Sequence, residues 1–170
     1  MRQIVVLLLS LQIGIGVLPF TPFLGVLTPL NTTLAGISLE HSQGFALCVR
    51  GGQVWHSSSQ LRVHGSWVTE ASIQVEFTVS QDSFTLYGGA GILYAHLNYS
   101  KFYDNDSLDF AGEAFAPCFL VGVRLAYPIE LDEFGLWSEV KLLSECDLSW
   151  TLDKVGGWSF EAGLFYRWTP

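Results

Sequence analysis

Residues 156–168 alternate without a break: Trp158, Phe160, Ala162, Leu164, Tyr166 and Trp168 fall on one side, and Ser159, Glu161, Gly163, Phe165 and Arg167 on the other. A period of two is the mark of a strand, whose successive side chains point to opposite faces of a sheet. The larger face is wholly apolar and aromatic, while the smaller carries both signs of charge. Two architectures accommodate this. In a soluble protein the aromatic face is the core; in a barrel crossing a bilayer it meets lipid, and the charges line the inside.

Other strands tilt the choice toward the membrane. The sequence predicts strands at 33–41, 44–56, 61–67, 73–79, 83–99, 113–127, 136–148 and 156–168, of which 33–41 is the most weakly patterned: the count is eight with it and seven without. Several place charge opposite an apolar face: Glu76, Arg124, Glu139, Lys141, Glu161 and Arg167, with Arg62 and Glu113 as further members. The expected fold is all-β, an eight-stranded antiparallel up-and-down transmembrane β-barrel. An interior of that size is just wide enough to be filled by side chains, so these charges should pair in a lumen without an open pore. Trp67, Tyr99, Tyr127, Trp150, Trp158 and Trp168 are then expected in girdles at the two water interfaces. With both termini on one side, the connections near 57–59, 81–82 and 128–133 fall on that side. Those near 42–43, 69–71, 99–111 and 147–157 fall on the other.

The N-terminus looks like a different material. Between Arg2 and Glu40 no side chain is charged, and residues 4–18 are an almost unbroken apolar run behind one basic residue. This reads as a secretory signal with a short N-terminal segment over 1–32, leaving a barrel domain over 33–170. Gly14-Ile15-Gly16 and Thr33-Leu34-Ala35 are the small-x-small cleavage candidates, and Pro19, Pro22 and Pro29 would interrupt an uncleaved membrane helix.

Composition removes several functions. Charged residues are 14% of the 170, the formal net charge is −8 and no basic patch exists, which argues against a nucleic-acid partner. Cys48, Cys118 and Cys146 lack metal-ligand spacing and allow at most one disulfide within the chain. The run Gly88-Gly89-Ala90-Gly91 is no phosphate loop, because neither a helix nor a Lys-Ser/Thr pair follows; it implies close packing of backbone on its neighbours. No cofactor and no metal site are expected.

The runs LYGGAGILYAHLNYS, FLVGVRLAYPIELDEFGLWSEVKLLS and GGWSFEAGLFYRW, over roughly residues 84–168, resemble the C-terminal half of the small OmpA-like or opacity-type outer-membrane barrels. The resemblance implies residence in the bacterial outer membrane, contact with its lipid, and a closing strand read by the barrel-assembly machinery. This chain ends Trp168-Thr169-Pro170, where that family usually stops on the aromatic residue.

Three features remain. His64 and Ser66 share a face, and a turn centred on Glu70 would set His64 opposite Glu76, a possible nucleophile, base and orienter. Some barrels of the resembling family are lipid A deacylases with a His-x-Ser pair and a Glu, but there the pair lies late in the chain, so membership in the polar lumen is the favoured role. Asn31, Asn98 and Asn105 all stand in Asn-x-Ser/Thr sequons, which keeps open a soluble secreted or viral β-sandwich glycoprotein. Finally, the polar stretch at 99–111, with Lys101, Tyr103, Asp104, Asp106 and Asp109, and the loop at 147–157 are the expected contact surfaces for host or surface ligands. For the acidic residues, solvated loop charge is a better reading than a divalent-cation site. The function expected is structural, adhesive or surface-interacting.

Overall fold

The computed structural model describes residues 7–23, 26–41, 43–78, 83–103, 106–130 and 132–168. Eight strands run β1 (Leu7–Phe23), β2 (Val26–His41), β3 (Phe45–Ser57), β4 (Leu61–Thr78), β5 (Phe84–Tyr103), β6 (Asp106–Ile129), β7 (Asp132–Asp147) and β8 (Lys154–Trp168). Each pairs antiparallel with its sequence neighbours, and β8 returns to β1, so the sheet closes with no free lateral edge. Following register partners from Leu9 through Leu39, Leu47, Ile73, Ala90, Phe119, Leu142 and Trp158 returns to β1 between Val17 and Phe20. That stagger requires strongly tilted strands.

Two boundaries differ from the sequence reading. The stretch read as an export leader supplies β1 and the start of β2, so the barrel extends to Leu7 instead of beginning at residue 33. The reason is visible in β1 itself. Leu9, Leu11, Ile13 and Ile15 point outward, while Ser10, Gln12, Gly14 and Gly16 alternate with them. A strand with lipid on one face and small uncharged groups on the other has the composition of a leader.

The second difference is that 61–67 and 73–79 are not two strands; residues 61–78 are one, β4. Glu70, taken as a turn centre, is buried in the lumen. The count of eight therefore came from one strand missed and one divided. The sides of two connections change accordingly: the turn after His41 lies at the end bearing the termini, and the one after Ser57 lies at the opposite end, hereafter the outer rim.

The outside is an apolar belt bounded by aromatic rings. At the terminal end stand Phe45, Phe77, Tyr127, Phe134 and Trp168; toward the rim stand Trp55, Trp67, Phe115 and Trp158. On β3, β4 and β8 alike, ten residues separate the two rings, Phe45 to Trp55, Trp67 to Phe77 and Trp158 to Trp168. Ten residues cover roughly 33 Å along a strand, or about 25 Å of height at a tilt near 40°, which is the height of the apolar band of outer-membrane barrels. Of the expected girdle residues, Tyr99 is instead buried inside and Trp150 sits at a loop tip.

Candidate functional site

The interior is stratified. Near mid-height, two cations and three carboxylates meet: Arg50 reaches Glu139 at 2.6 Å and Glu161 at 3.1 Å, and Lys141 reaches Glu161 at 2.6 Å, Glu139 at 3.5 Å and also Glu70. Nearer the termini a second group forms. Arg124 pairs with Glu76 at 2.8 Å and Glu40 at 3.2 Å, while Arg167 pairs with Glu40 and with Glu133 at 2.7 Å. Gln74 accepts from Arg124 at 2.9 Å, and Tyr87 donates to Glu139 at 2.8 Å while lying 4.6 Å from the Arg124 guanidinium, so the two groups form one continuous network. Unpaired charges would be prohibitively costly at this burial, which is why every cation here faces at least two carboxylates.

All six residues read from the sequence as lumen charges lie in this network: Glu76, Arg124, Glu139, Lys141, Glu161 and Arg167. Arg62 and Glu113 do not; both are exposed, Arg62 over the Phe102 ring and Glu113 beside His96. Four charged members were missed. Arg50 lies on a strand whose phase Gly51-Gly52 blurred, Glu40 on a weakly patterned strand, Glu70 in the supposed turn, and Glu133 in the connection read at 128–133. Glycines make the room. A Cβ at Gly122 would lie 2.8 Å from Glu139 Cγ and inside the Tyr87 ring, and one at Gly14 would lie 2.6 Å from Trp137.

Toward the rim the lumen turns apolar. Leu18, Phe20, Leu30, Val54, Val68, Leu93, Leu97 and Val155 form a close-packed core inside the barrel. Above them, the β7–β8 turn folds over the mouth. Leu148 is buried in the core, and Asp153, also buried, accepts from Lys101 Nζ at 2.8 Å and from Tyr99 Oη. The passage is thus filled by charge below, hydrocarbon in the middle and a pinned turn on top.

The proposed catalytic set does not assemble. Gly65, with φ of 56°, sits in an irregularity of β4 that reverses the phase. His64 is exposed, whereas Ser66 is buried and donates to the carbonyls of His64 and Asn98. Glu76 lies farther down the same strand, roughly 30 Å away, bound to Arg124.

The expected contact stretch at 99–111 is mostly not a loop. β5 and β6 stay paired to Tyr103↔Asp106 as a hairpin above the barrel. Lys101 is buried against Asp153, Tyr103 and Asp106 are exposed near the tip, and Asp109 accepts from Ser100 at 2.6 Å. Asp104 lies outside the described residues. Among the described residues no cluster of His, Cys, Asp and Glu is arranged to hold a metal ion. Asn98, one of the sequons, spends its side-chain amide on the Gly65 carbonyl at 3.0 Å; Asn31 is exposed, and Asn105 is outside the described residues.

A closed eight-stranded antiparallel ring with an aromatic-bounded apolar exterior and a charge-paired interior is the fold of the small outer-membrane β-barrels. Comparison with solved structures agrees across nearly the whole chain. The chain is similar to Neisserial surface protein A, with a TM-score of 0.58 at 13% identity over 94% of this chain and 95% of that one. It is likewise similar to the N-terminal β-barrel domain of Pseudomonas aeruginosa OprF, at 0.55 and 14% over 94% and 97%. A third similar structure is Ail, the attachment invasion locus protein of Yersinia pestis, at 0.51 and 17% over 95% and 98%. Ail has also been solved in complex with the heparin analogue sucrose octasulfate. No protein-family model and no curated protein sequence matches the chain.

Proposed function

We propose that this chain is a resident of the bacterial outer membrane that acts at the cell surface, as an adhesive or surface-interaction protein, through the β5–β6 hairpin and the β7–β8 turn. The observation that carries this reading is the filled interior. Charge, hydrocarbon and the Lys101–Asp153–Tyr99 contact each occupy the passage, so the barrel serves as a scaffold whose chemistry is displayed at its rim. In this reading the apolar belt is solvated by membrane lipid, and the closing strand β8 is the segment engaged by the assembly machinery.

Attachment is the activity named for Ail, and it fits a rim function, but that protein's sulfated ligand does not transfer readily. The rim here is acidic on balance, with Asp106, Asp109, Glu113, Glu145 and Asp147 exposed against the cations Arg62 and Lys154, and would repel a polyanion. The test is adhesion of cells expressing the barrel to epithelial monolayers. Cells carrying a barrel with the hairpin trimmed at 102–107, which keeps the Lys101–Asp153 pair, and the turn at 149–152 replaced by Gly-Ser should lose the gain in adhesion while keeping a heat-modifiable, membrane-extracted band. Equal adhesion by the trimmed barrel would sink the proposal.

A further inference from the structure

Trp150 is the most exposed large hydrophobic residue among the described residues, at 98%, and Leu152 beside it is at 90%. Exposure at a loop tip alone means little, but this tip is held rigid. Ser149 N–H donates to the Glu113 carbonyl at 2.9 Å and Ser149 Oγ accepts from Glu113 N–H at 2.9 Å. Leu148 N–H donates to the Asp153 carbonyl at 2.8 Å, and Asp153 N–H to Thr151 Oγ1 at 3.2 Å. Leu148 is buried below, and Asp153 is clamped by Lys101 and Tyr99.

Within this turn Trp150 occupies the left-handed region, with φ of 67°. Glycine or asparagine takes that conformation at little cost, whereas a bulky side chain there is strained. The turn would form more easily with glycine at position 150, so the indole is displayed there at a cost in backbone conformation. A rigid, strained turn that presents a bare Trp and Leu to solvent is a preorganised anchor, since little side-chain or loop entropy is lost when a partner covers it.

The surroundings choose the partner. The polar groups sharing the hollow beside Trp150 are already engaged, Asp153 with Lys101 and the Thr151 hydroxyl with the Leu148 carbonyl and Asp153 N–H, which leaves few hydrogen-bonding groups to grip a sugar stacked on the ring. The exposed charges around the turn are mostly carboxylates: Asp106, Asp109 and Glu113 on β6, Glu145 and Asp147 on β7, with Lys154 lying 3.8 and 3.9 Å from the last two. Such a ring repels anionic lipid and also a second copy of itself.

We infer that the β7–β8 turn is the docking site for an amphipathic, Lys/Arg-bearing segment of another protein. Its apolar face covers Trp150 and Leu152, and its cations meet the carboxylates of β6 and β7. This inference rests on the surface role proposed above and names its partner chemistry.

The experiment uses the whole barrel in lipid nanodiscs. The probe is a synthetic 14-residue amphipathic helix of Leu and Lys, with a Leu/Glu helix of identical pattern as its counterpart. Binding is read by acrylamide quenching of Trp fluorescence and by calorimetry. Wild type should bind Leu/Lys at least about tenfold more tightly than Leu/Glu, and W150A or L152A should each lose about tenfold or more, the range of a buried aromatic or aliphatic anchor. W150G should lose binding equally while its heat-modifiable transition is not lowered, because glycine relieves the φ of Trp150. Three results overturn the inference: W150A binding as tightly as wild type, indifference to peptide charge, or no binding at millimolar Leu/Lys. If the trimmed barrel has lost adhesion but the peptide does not bind, the surface role stands and this partner chemistry falls alone.

Discussion

Replacing Lys141 with Met tests the lumen network most directly. The side chain is fully buried and lies against Glu70, Glu161 and, at 3.5 Å, Glu139. In wild type, Lys141 and Arg50 together face those three carboxylates; in K141M, Arg50 faces them alone. Breaking a buried pair by removing one partner costs about 3–5 kcal/mol, chiefly because the stranded charge cannot be solvated. Met keeps the length of the stem, so cavity formation adds little. Adding E161Q removes one of the stranded carboxylates and should restore about half of the loss. The assay is reversible urea unfolding in detergent or lipid, followed by the fraction migrating as a compact band on an unheated gel. A cost below about 1 kcal/mol for K141M, or a K141M/E161Q pair no more stable than K141M, would refute the claim that the charges are paired in a dry interior.

Other perturbations probe the wall and its boundaries. Val121 lies midway along β6 between Phe115 and Tyr127, so V121R should cost about 2–4 kcal/mol in the same urea assay, against about 0–1 for F134R at the terminal ring; equal costs would argue that the belt does not face hydrocarbon. G122V forces a branched side chain into the Tyr87 ring and should lower stability by about 1–3 kcal/mol, with part recovered in G122V/Y87L. Because β1 closes the ring against both β2 and β8, N-terminal sequencing of the barrel extracted from membranes should find residues 7–23 retained, and their deletion should abolish the heat-modifiable band. A mature barrel starting near residue 16 or 35 would contradict this pairing.

Much of the wall was legible because long stretches of every strand keep a period of two between irregularities, and β8 most clearly of all. What misled was the assumption that the inward face announces itself by charge. In β1 the inward residues are Ser10, Gln12, Gly14 and Gly16, so nothing distinguished a strand from a leader. In β4 the reverse occurred: an interior carboxylate, Glu70, looked like a solvated turn because its partner Lys141 lies seventy-one residues away. Gly65 compounded this by shifting phase, which put His64 and Ser66 on one face on paper and on opposite sides of the wall in three dimensions. The apolar upper lumen left no separate mark, since Val, Leu and Phe facing inward read the same as Val, Leu and Phe facing lipid.

That last ambiguity bears on function. Had the interior been polar throughout, side-chain movement and water entry could open a path through paired charges, because each ion released from its partner would find hydration. The upper half denies this. A hydrated passage past Leu18, Phe20, Leu30, Leu93 and Leu97 would have to expose them to water, at about 1.5–3 kcal/mol for each side chain, with no compensating contact inside so narrow a ring. The Asp153 clamp would also have to release Leu148 from the mouth. The two layers oppose opening by different physics, one by charge pairing and the other by exclusion of water, so relaxing either leaves the other in place. What can vary at little cost to the barrel is only what stands above it: the hairpin beyond Lys101 and the tip of the turn around Trp150.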